Sequence, residues 1–239
     1  MKIFAFIPAR AGSTRTPSKN IKLLNSRPLI SYTIAAAKKS KHINRIVVST
    51  DSQEIANISK EYGAEIPFLR PSEISQFDST ELQFFEHVLN WLWKNEKYKP
   101  DLIVLLYPTS PFRTSNSIDK AIETILKHPE ADSLRSVRLC SEHPYKMWVE
   151  DNNYIKPFVD DKNSNTHTLS YQCLPTIYIQ NASIYITRPS TIKDKKSSVG
   201  DIVVPFVMNE IESIDINTPL DFDFAEMIMK NRRNSIKTP

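Results

Sequence analysis

The order in which apolar runs and helical patterns follow one another constrains this chain more than any other feature. Ile3 to Pro8, Arg45 to Ser49 and Leu102 to Tyr107 are short runs rich in branched and aromatic side chains, the pattern of strands buried on both faces. Segments with helical spacing separate or follow them: Leu29 to Ala37, Ile55 to Tyr62 and Thr80 to Asn95. Strands that alternate with helices predict βαβ units and a largely parallel sheet. With 239 residues, 40% of them apolar, there is material for one large α/β core, whereas two independent domains would each be small. The expectation is a single domain over residues 1–239.

Local signals support these assignments. Pro28 suits the first turn of a helix, Asp51 and Glu54 have the spacing of a capping box, and Gly63 sits where a left-handed helix stop belongs. Leu82, Phe85, Leu89 and Leu92 make one stripe, with Trp91 and Trp93 read as core or rim. A helix from Ser117 to His128 presents Ile118, Ile122 and Ile125 and is stopped by Pro129. Strands are expected at Ser133 to Arg138, Ser183 to Thr187 and Ile202 to Val207, and a last helix from Pro219 to Met229. Between Cys140 and Pro175 the pattern loosens into short apolar pieces and polar runs, which reads as an inserted lobe or arm.

Composition excludes several kinds of function. The opening apolar run is stopped at once by Pro8 and Arg10, unlike a secretory signal, and no stretch approaches the roughly 18 apolar residues of a membrane span. Cys140 and Cys173 match neither a disulfide framework nor a zinc pattern, which fits a reducing cytoplasm. The net charge of +4 is spread along the chain and gives no focused nucleic-acid surface; the basic end from Lys230 reads as a solvated tail. The histidines show neither paired metal spacing nor a serine nucleophile motif. Only Gly12, Gly63 and Gly200 occur, so the glycine-clustered phosphate loops are absent, and any phosphate site must use side-chain cations.

Two constellations can do that work. Residues 8–20 form a polar loop after the first strand, carrying Arg10, Arg15 and Lys19 with several hydroxyls, where an open α/β sheet binds ligands. Cations fixed there could neutralise a triphosphate and the charge that builds on departing pyrophosphate; a solvated basic loop is the alternative. Near the other end, Asp215-Ile216-Asn217 puts two polar side chains on one face of an extended segment. Those oxygens could hold a metal, and Asn217 or Thr218 could equally cap the last helix.

The loop 8–20, together with Val47 to Asp51, Gly63 to Glu65, Phe68 to Glu73, Pro108 to Thr114 and Ser213 to Thr218, resembles the acylneuraminate cytidylyltransferase family in order and spacing. The resemblance implies a three-layer αβα fold of the nucleotide-diphospho-sugar transferase type, Rossmann-like, with a mostly parallel sheet and a dimerisation arm at residues 141–175. It implies transfer of CMP from CTP to the anomeric hydroxyl of an acidic nonulosonic sugar, sialic acid or a relative, with Mg²⁺ as cofactor and a homodimer as the working unit. Neither nucleic acid nor membrane is an implied partner. By the same resemblance Arg10, Ser13, Arg15, Lys19, Asn20, Arg70, Ser79 and Thr80 line the CTP site, and Arg10, Lys19 and Asp215 serve catalysis. Asp215 and Asn217 stand at the metal position, where relatives often carry two aspartates. Tyr107, Ser110, Lys146, Tyr171 and Asn181 fall at the sugar. Tyr107 replaces a common glutamine and Tyr171 a common arginine, which keeps pseudaminic, legionaminic and 3-deoxy-octulosonic acids open as substrates. Thr14, where a lysine is common, and Asn217 also leave open a nucleotide-binding module that has lost catalysis.

Overall fold

A computed structural model of the chain describes residues 1–12, 16–159 and 166–237, so Ser13 and Arg15 of the expected nucleotide loop lie outside the described residues. Strand β1 (Ile3–Pro8) is buried along its whole length between two parallel neighbours that follow it in sequence. The chain then forms a short hairpin, β2 (Leu23–Leu24) and β3 (Arg27–Pro28), and helix α1 (Leu29–Lys38). Strand β4 (Arg45–Ser49), α2 (Gln53–Glu61), α3 (Glu81–Glu96), β5 (Leu102–Leu105), α4 (Ser115–Leu126) and β6 (Ser133–Leu139) come next. An excursion holds the hairpin β7 (Trp148–Asp151) and β8 (Tyr154–Pro157) before β9 (Tyr178–Thr187), α5 (Pro189–Asp194), β10 (Val203–Val207) and α6 (Pro219–Lys237).

The main sheet has six strands in the order β10-β6-β9-β5-β1-β4. Only β9 runs antiparallel to its neighbours, so the sheet is mixed and mostly parallel. Alternation along β1 explains the layers. Ile3, Ala5 and Ile7 face one core with Ile30 and Ile34 of α1 and Ile118 and Ile122 of α4. Phe4 and Phe6 face another with Phe84, Phe85 and Leu92 of α3. A third cluster seats Phe222 and Ala225 of α6 on Leu24, Leu29 and Phe112, beside buried Ile216.

Several boundaries differ from expectation for identifiable reasons. Ser52, not Asp51, caps α2 by accepting from the Ile55 amide, because the Asp51 carboxylate accepts from the Ala11 amide at 2.9 Å instead. Pro28 precedes α1 rather than entering its first turn. Helix α4 starts two residues early because Thr114 caps it. Strand β9 starts five residues before Ser183, since residues 178–180 pair with β6 across a register shift at Ala182, whose φ is +52°. Gly63 has a φ of +95°, as its place after α2 requires.

Candidate active site

Ligands of open α/β sheets collect beyond the carboxyl ends of the strands. Here a cavity of about 470 Å³ opens beyond β1 and β5, lined by Arg10, Lys19, Asn20, Arg70, Ser79 and Tyr107 among others. Its described lining has three cations and no carboxylate, a composition complementary to a polyanion. Asn20 is buried and donates to the Arg10 carbonyl at 2.9 Å, which folds the loop back over the strand end. Arg70 is buried as well, held by its Nε on the Ser75 hydroxyl at 3.0 Å and by its amide on the Thr50 carbonyl at 2.7 Å. Burial lowers the pKa of its guanidinium, the Arg10 charge adds to that, and Asp51 opposes it. A phosphate arriving between Arg10 and Arg70 would relieve their repulsion.

The loop and the carboxyl-terminal pair meet. Lys19 Nζ donates to the Ile216 carbonyl at 3.0 Å and to Asn217 Oδ1 at 3.3 Å, and Asn217 Nδ2 donates to Asp215 Oδ2 at 2.6 Å. Thr16 Oγ1 adds a bond to the Asn217 carbonyl. Buried Ile216, whose amide donates to the Thr109 carbonyl, anchors the segment and leaves Asp215 and Asn217 on the opposite face. Capping of α6 falls to Thr218, which accepts from the Asp221 amide while Asp221 Oδ2 accepts from the amides of Asn217 and Thr218. Asn217 is thereby free of that duty.

A second cavity, about 660 Å³, shares Asn217 with the first and is lined by Asp215, Asn181, Asp221, Glu210 and Arg138. The register shift in β9 turns Asn181 into it. Asn181 Oδ1 accepts from the Ser136 hydroxyl at 2.5 Å and Nδ2 donates to the Ser213 hydroxyl at 2.9 Å, so its orientation is fixed. Ser110, expected at the sugar, is buried and donates to the Ala182 carbonyl at 3.2 Å; it supports the bulge and lines neither cavity. Thr80 caps α3 with Gln83 and likewise lies outside the lining, whereas Ser79 is on it.

Tyr107 is at the cavity wall, but its hydroxyl donates to Glu81 Oε1 at 2.8 Å, and burial, before the Glu81 charge, pushes its pKa well above the usual phenol value. Glu81 is also paired with Arg135 at 2.8 Å, and that guanidinium stacks over the Tyr185 ring. Lys146 and Tyr171 line neither cavity. They meet one another on the excursion, where Lys146 Nζ lies 5.6 Å from the Tyr171 ring centre and donates to the carbonyls of His167 and Leu169.

Sequence reasoning missed Arg113, which is fully buried and donates to the carbonyls of Tyr107 and Ser183 and to the Thr33 hydroxyl. Burial pushes its guanidinium down to about 9, opposed by Asp215. It ties the wall of the first cavity to the bulge that shapes the second. Glu81, which joins Tyr107 to Arg135, was missed as well and had no signal beyond its place in a helix's first turn.

Among the described residues no cluster of three or more metal-ligating His, Cys, Asp or Glu occurs. Asp215 Oδ1, however, is buried with no hydrogen-bond partner, an oxygen of the kind that magnesium takes when phosphates and waters complete its shell. Asn217 Oδ1 is directed to Lys19, so the donor set fits an ion held mainly by one carboxylate and the nucleotide.

A family model described as cytidylyltransferase matches residues 4–231. A CMP-N,N'-diacetyllegionaminic acid synthase of Legionella pneumophila is 37% identical, covering 99% of this chain and all of that protein. An N-acylneuraminate cytidylyltransferase of Escherichia coli is 31% identical over 97% of this chain and 54% of its own length. A pseudaminic acid cytidylyltransferase of Campylobacter jejuni is 28% identical over 98% of this chain and 99% of its own. In structure, a CMP:2-keto-3-deoxy-manno-octonic acid synthetase complexed with CTP superposes with a TM-score of 0.70 at 14% identity over 97% of this chain and all of that one, a likeness of fold. No helix among the described residues is long and apolar enough to cross a membrane.

Proposed function

We infer that this chain, which belongs to the cytidylyltransferase family, transfers CMP from CTP to the anomeric hydroxyl of an acidic nonulosonic sugar and releases pyrophosphate. The observation that carries this reading is the chain of contacts Lys19, Asn217, Asp215, which joins a cationic cavity to an acidic one at a single residue. Two adjoining cavities would hold a polyanionic nucleotide and a second substrate side by side. CTP would lie in the first cavity with its phosphates on Arg10, Lys19 and Arg70, and the sugar in the second, oriented by Asn181. The anomeric oxygen bonds to the α-phosphorus, the bond from that phosphorus to the bridging oxygen breaks, pyrophosphate departs and the hydroxyl proton passes to water.

Positioning and fixed charge supply most of the catalysis. Arg10 and Lys19 meet the charge growing on pyrophosphate, and Asn217 holds the Lys19 ammonium in place. Asp215, through Oδ1, would hold magnesium, which when bound adds positive charge to the triphosphate. Tyr107, fixed by Glu81, shapes the cavity wall and donates nothing to the sugar in this arrangement.

The excursion at residues 141–175 is the proposed dimer arm. Trp148, Tyr154, Ile155 and Phe158 are exposed on it, and Lys146 and Tyr171 would reach the partner's site from it. The free thiols Cys140 and Cys173 suit a reducing cytoplasm.

The three relatives act, by their names, on legionaminic, acylneuraminic and pseudaminic acids, which share a carboxylate beside the anomeric carbon. Pyrophosphate release is to be measured with CTP, Mg²⁺ and a panel of these sugars and 3-deoxy-octulosonic acid. Release with a nonulosonic acid and with CTP alone among ATP, GTP, UTP and CTP is expected. CTP binding without release for any sugar would favour instead a module that has lost catalysis, to which Asn217 in place of the second aspartate lends weight.

A further inference from the structure

The second cavity presents an electrostatic difficulty to an acidic acceptor. Its described lining sets Asp215, Asp221 and Glu210 against a single cation, Arg138. A carboxylate entering such a space is repelled unless a positive group meets it. We propose that Arg138 binds the carboxylate of the acidic acceptor and is the specificity-determining cation of this site, an inference that rests on reading the second cavity as the acceptor's.

Strand geometry puts Arg138 in position. Ser136 and Arg138 are two residues apart on β6 and share one face, and the Ser136 hydroxyl bonds to Asn181, which lines the same cavity. Arg138 also stands opposite Ile179 in the β9 ladder, just past the bulge that aims Asn181. Among the described residues the Arg138 guanidinium forms no ion pair within 4 Å; its charge reaches the Glu142 carboxyl only through space, adding to a pKa lowered first by the Ser141 hydroxyl. Its hydrogen bonds there are two long ones from Nη1, to the Leu139 carbonyl at 3.2 Å and the Ser141 hydroxyl at 3.4 Å. Nε and Nη2 thus keep the planar fork that matches a carboxylate in two parallel bonds. Glu142, the nearby acid, bonds to the Ser141 hydroxyl at 2.5 Å and lies outside the lining.

The other basic group expected at the sugar is engaged elsewhere in the chain, since Lys146 Nζ donates to two carbonyls of the arm. Tyr171 is neutral and exposed beside it. Arg138 therefore supplies within one chain the charge that those positions do not bring to this cavity.

The test uses the full chain, with the best acceptor of the panel as its free acid and as its methyl ester. For Arg138→Ala the acceptor KM should rise on the order of tenfold to a hundredfold, as loss of a charge-assisted pair implies. The KM for CTP should stay within about twofold, and the preference for acid over ester should collapse. Arg138→Lys, which restores charge without the fork, should recover part of that preference. Calorimetric titration of the acid into the chain with CMP present reads the same contact whether or not transfer follows, so a failed reaction and a failed contact are distinguishable. An undiminished acid-over-ester preference in Arg138→Ala, or its loss in Lys146→Ala instead, would overturn the proposal. Absence of sugar binding by the wild-type chain would overturn both readings.

Discussion

The two cavities that meet at Asn217 are built on opposite electrostatic plans. The one beyond β1 and β5 is walled by Arg10, Lys19 and Arg70 with no described carboxylate, while the one beyond β6 and β9 carries three acids and Arg138. The first suits any polyphosphate; the second, with a fixed Asn181 and Arg138 as the one cation of its described lining, is where selectivity can reside. Their backbones differ in the same sense. The parallel strands β5, β1 and β4 make the first, and an antiparallel strand with a bulge makes the second. A general electrostatic task is thus carried by regular structure and a discriminating one by an irregularity, in keeping with the placement of bulges beside functional sites.

The sharpest way to break the comparison is to cut the tie between the two halves. Arg113→Met keeps bulk but takes the guanidinium donor from the carbonyls of Tyr107 and Ser183, leaving Tyr107 only the longer bonds from the Thr33 hydroxyl and the Ser110 amide. A buried acceptor that loses its donor costs about 1–3 kcal/mol, so an unfolding free energy lowered by that order for each carbonyl is expected from urea titration, with both cavities disturbed. Little change in stability would mean that the bulge holds itself. Next come the charges proper. Arg10→Ala and Asp215→Ala should each reduce turnover roughly tenfold to a thousandfold, as loss of one preorganised charge does. Arg10→Ala should also weaken CTP binding in calorimetry, and Asp215→Ala should weaken it less. Equal and near wild-type turnover in both would contradict the division of labour.

Much of the first cavity was legible in the sequence, and much of the second was not. The alternation of Ile3, Ala5 and Ile7 with Phe4 and Phe6 is local and declares two buried faces, and Gly63 marks its own turn. The loop from Arg10 to Asn20 could be recognised by its position after a strand. By contrast, Tyr178, Ile179 and Gln180 are all exposed, with no buried face to declare a strand, and β6 pairs with them. No local pattern marks Arg113 as buried, and Ser110 and Thr80 read as ligand hydroxyls until the Ala182 carbonyl and the α3 cap claim them. The Lys19 contact with Asn217 spans 198 residues, a separation that no periodicity can report. Resemblance in order and spacing, rather than pattern, brought those two ends together.

A smaller effect probes the frame of the second half alone. Gly200 has a φ of +76°, and a Cβ there would stand 2.4 Å from that of Asp132. Gly200→Ala must therefore displace the turn that delivers the Asp201 and Ile202 amides to Asp132 Oδ2 at 2.8 and 3.0 Å. Strain of this kind costs about 1–3 kcal/mol, read as a shifted urea midpoint with CTP binding retained. Those amides and Lys195 hold the Asp132 carboxyl down at about 2, from an ordinary 3.8. Being depressed, it stabilises the fold above the ordinary value, and that contribution should vanish as pH falls through about 2. Asp132→Asn should flatten this part of the acid-unfolding curve.

The finest adjustment lies at the junction itself. Asn217→Asp would place a second carboxylate beside Asp215 and replace a neutral acceptor of Lys19 by a charged one. Two opposing consequences follow. The added charge favours a divalent cation, while the amide bond that now steadies Asp215 Oδ2 is lost and like charges are brought together. Because Lys19 Nζ lies 3.3 Å from the Asn217 side-chain oxygen, it can screen that repulsion, so attraction for the ion should win. The expected result is a few-fold lower Mg²⁺ concentration at half-maximal pyrophosphate release, a change below the roughly 1.4 kcal/mol of a factor of ten. The acceptor's KM and its acid-over-ester preference should stay as they are, since Arg138 and Asn181 are untouched. A change in sugar preference with no change in magnesium dependence would place the junction in the selective cavity and dissolve the contrast between the two.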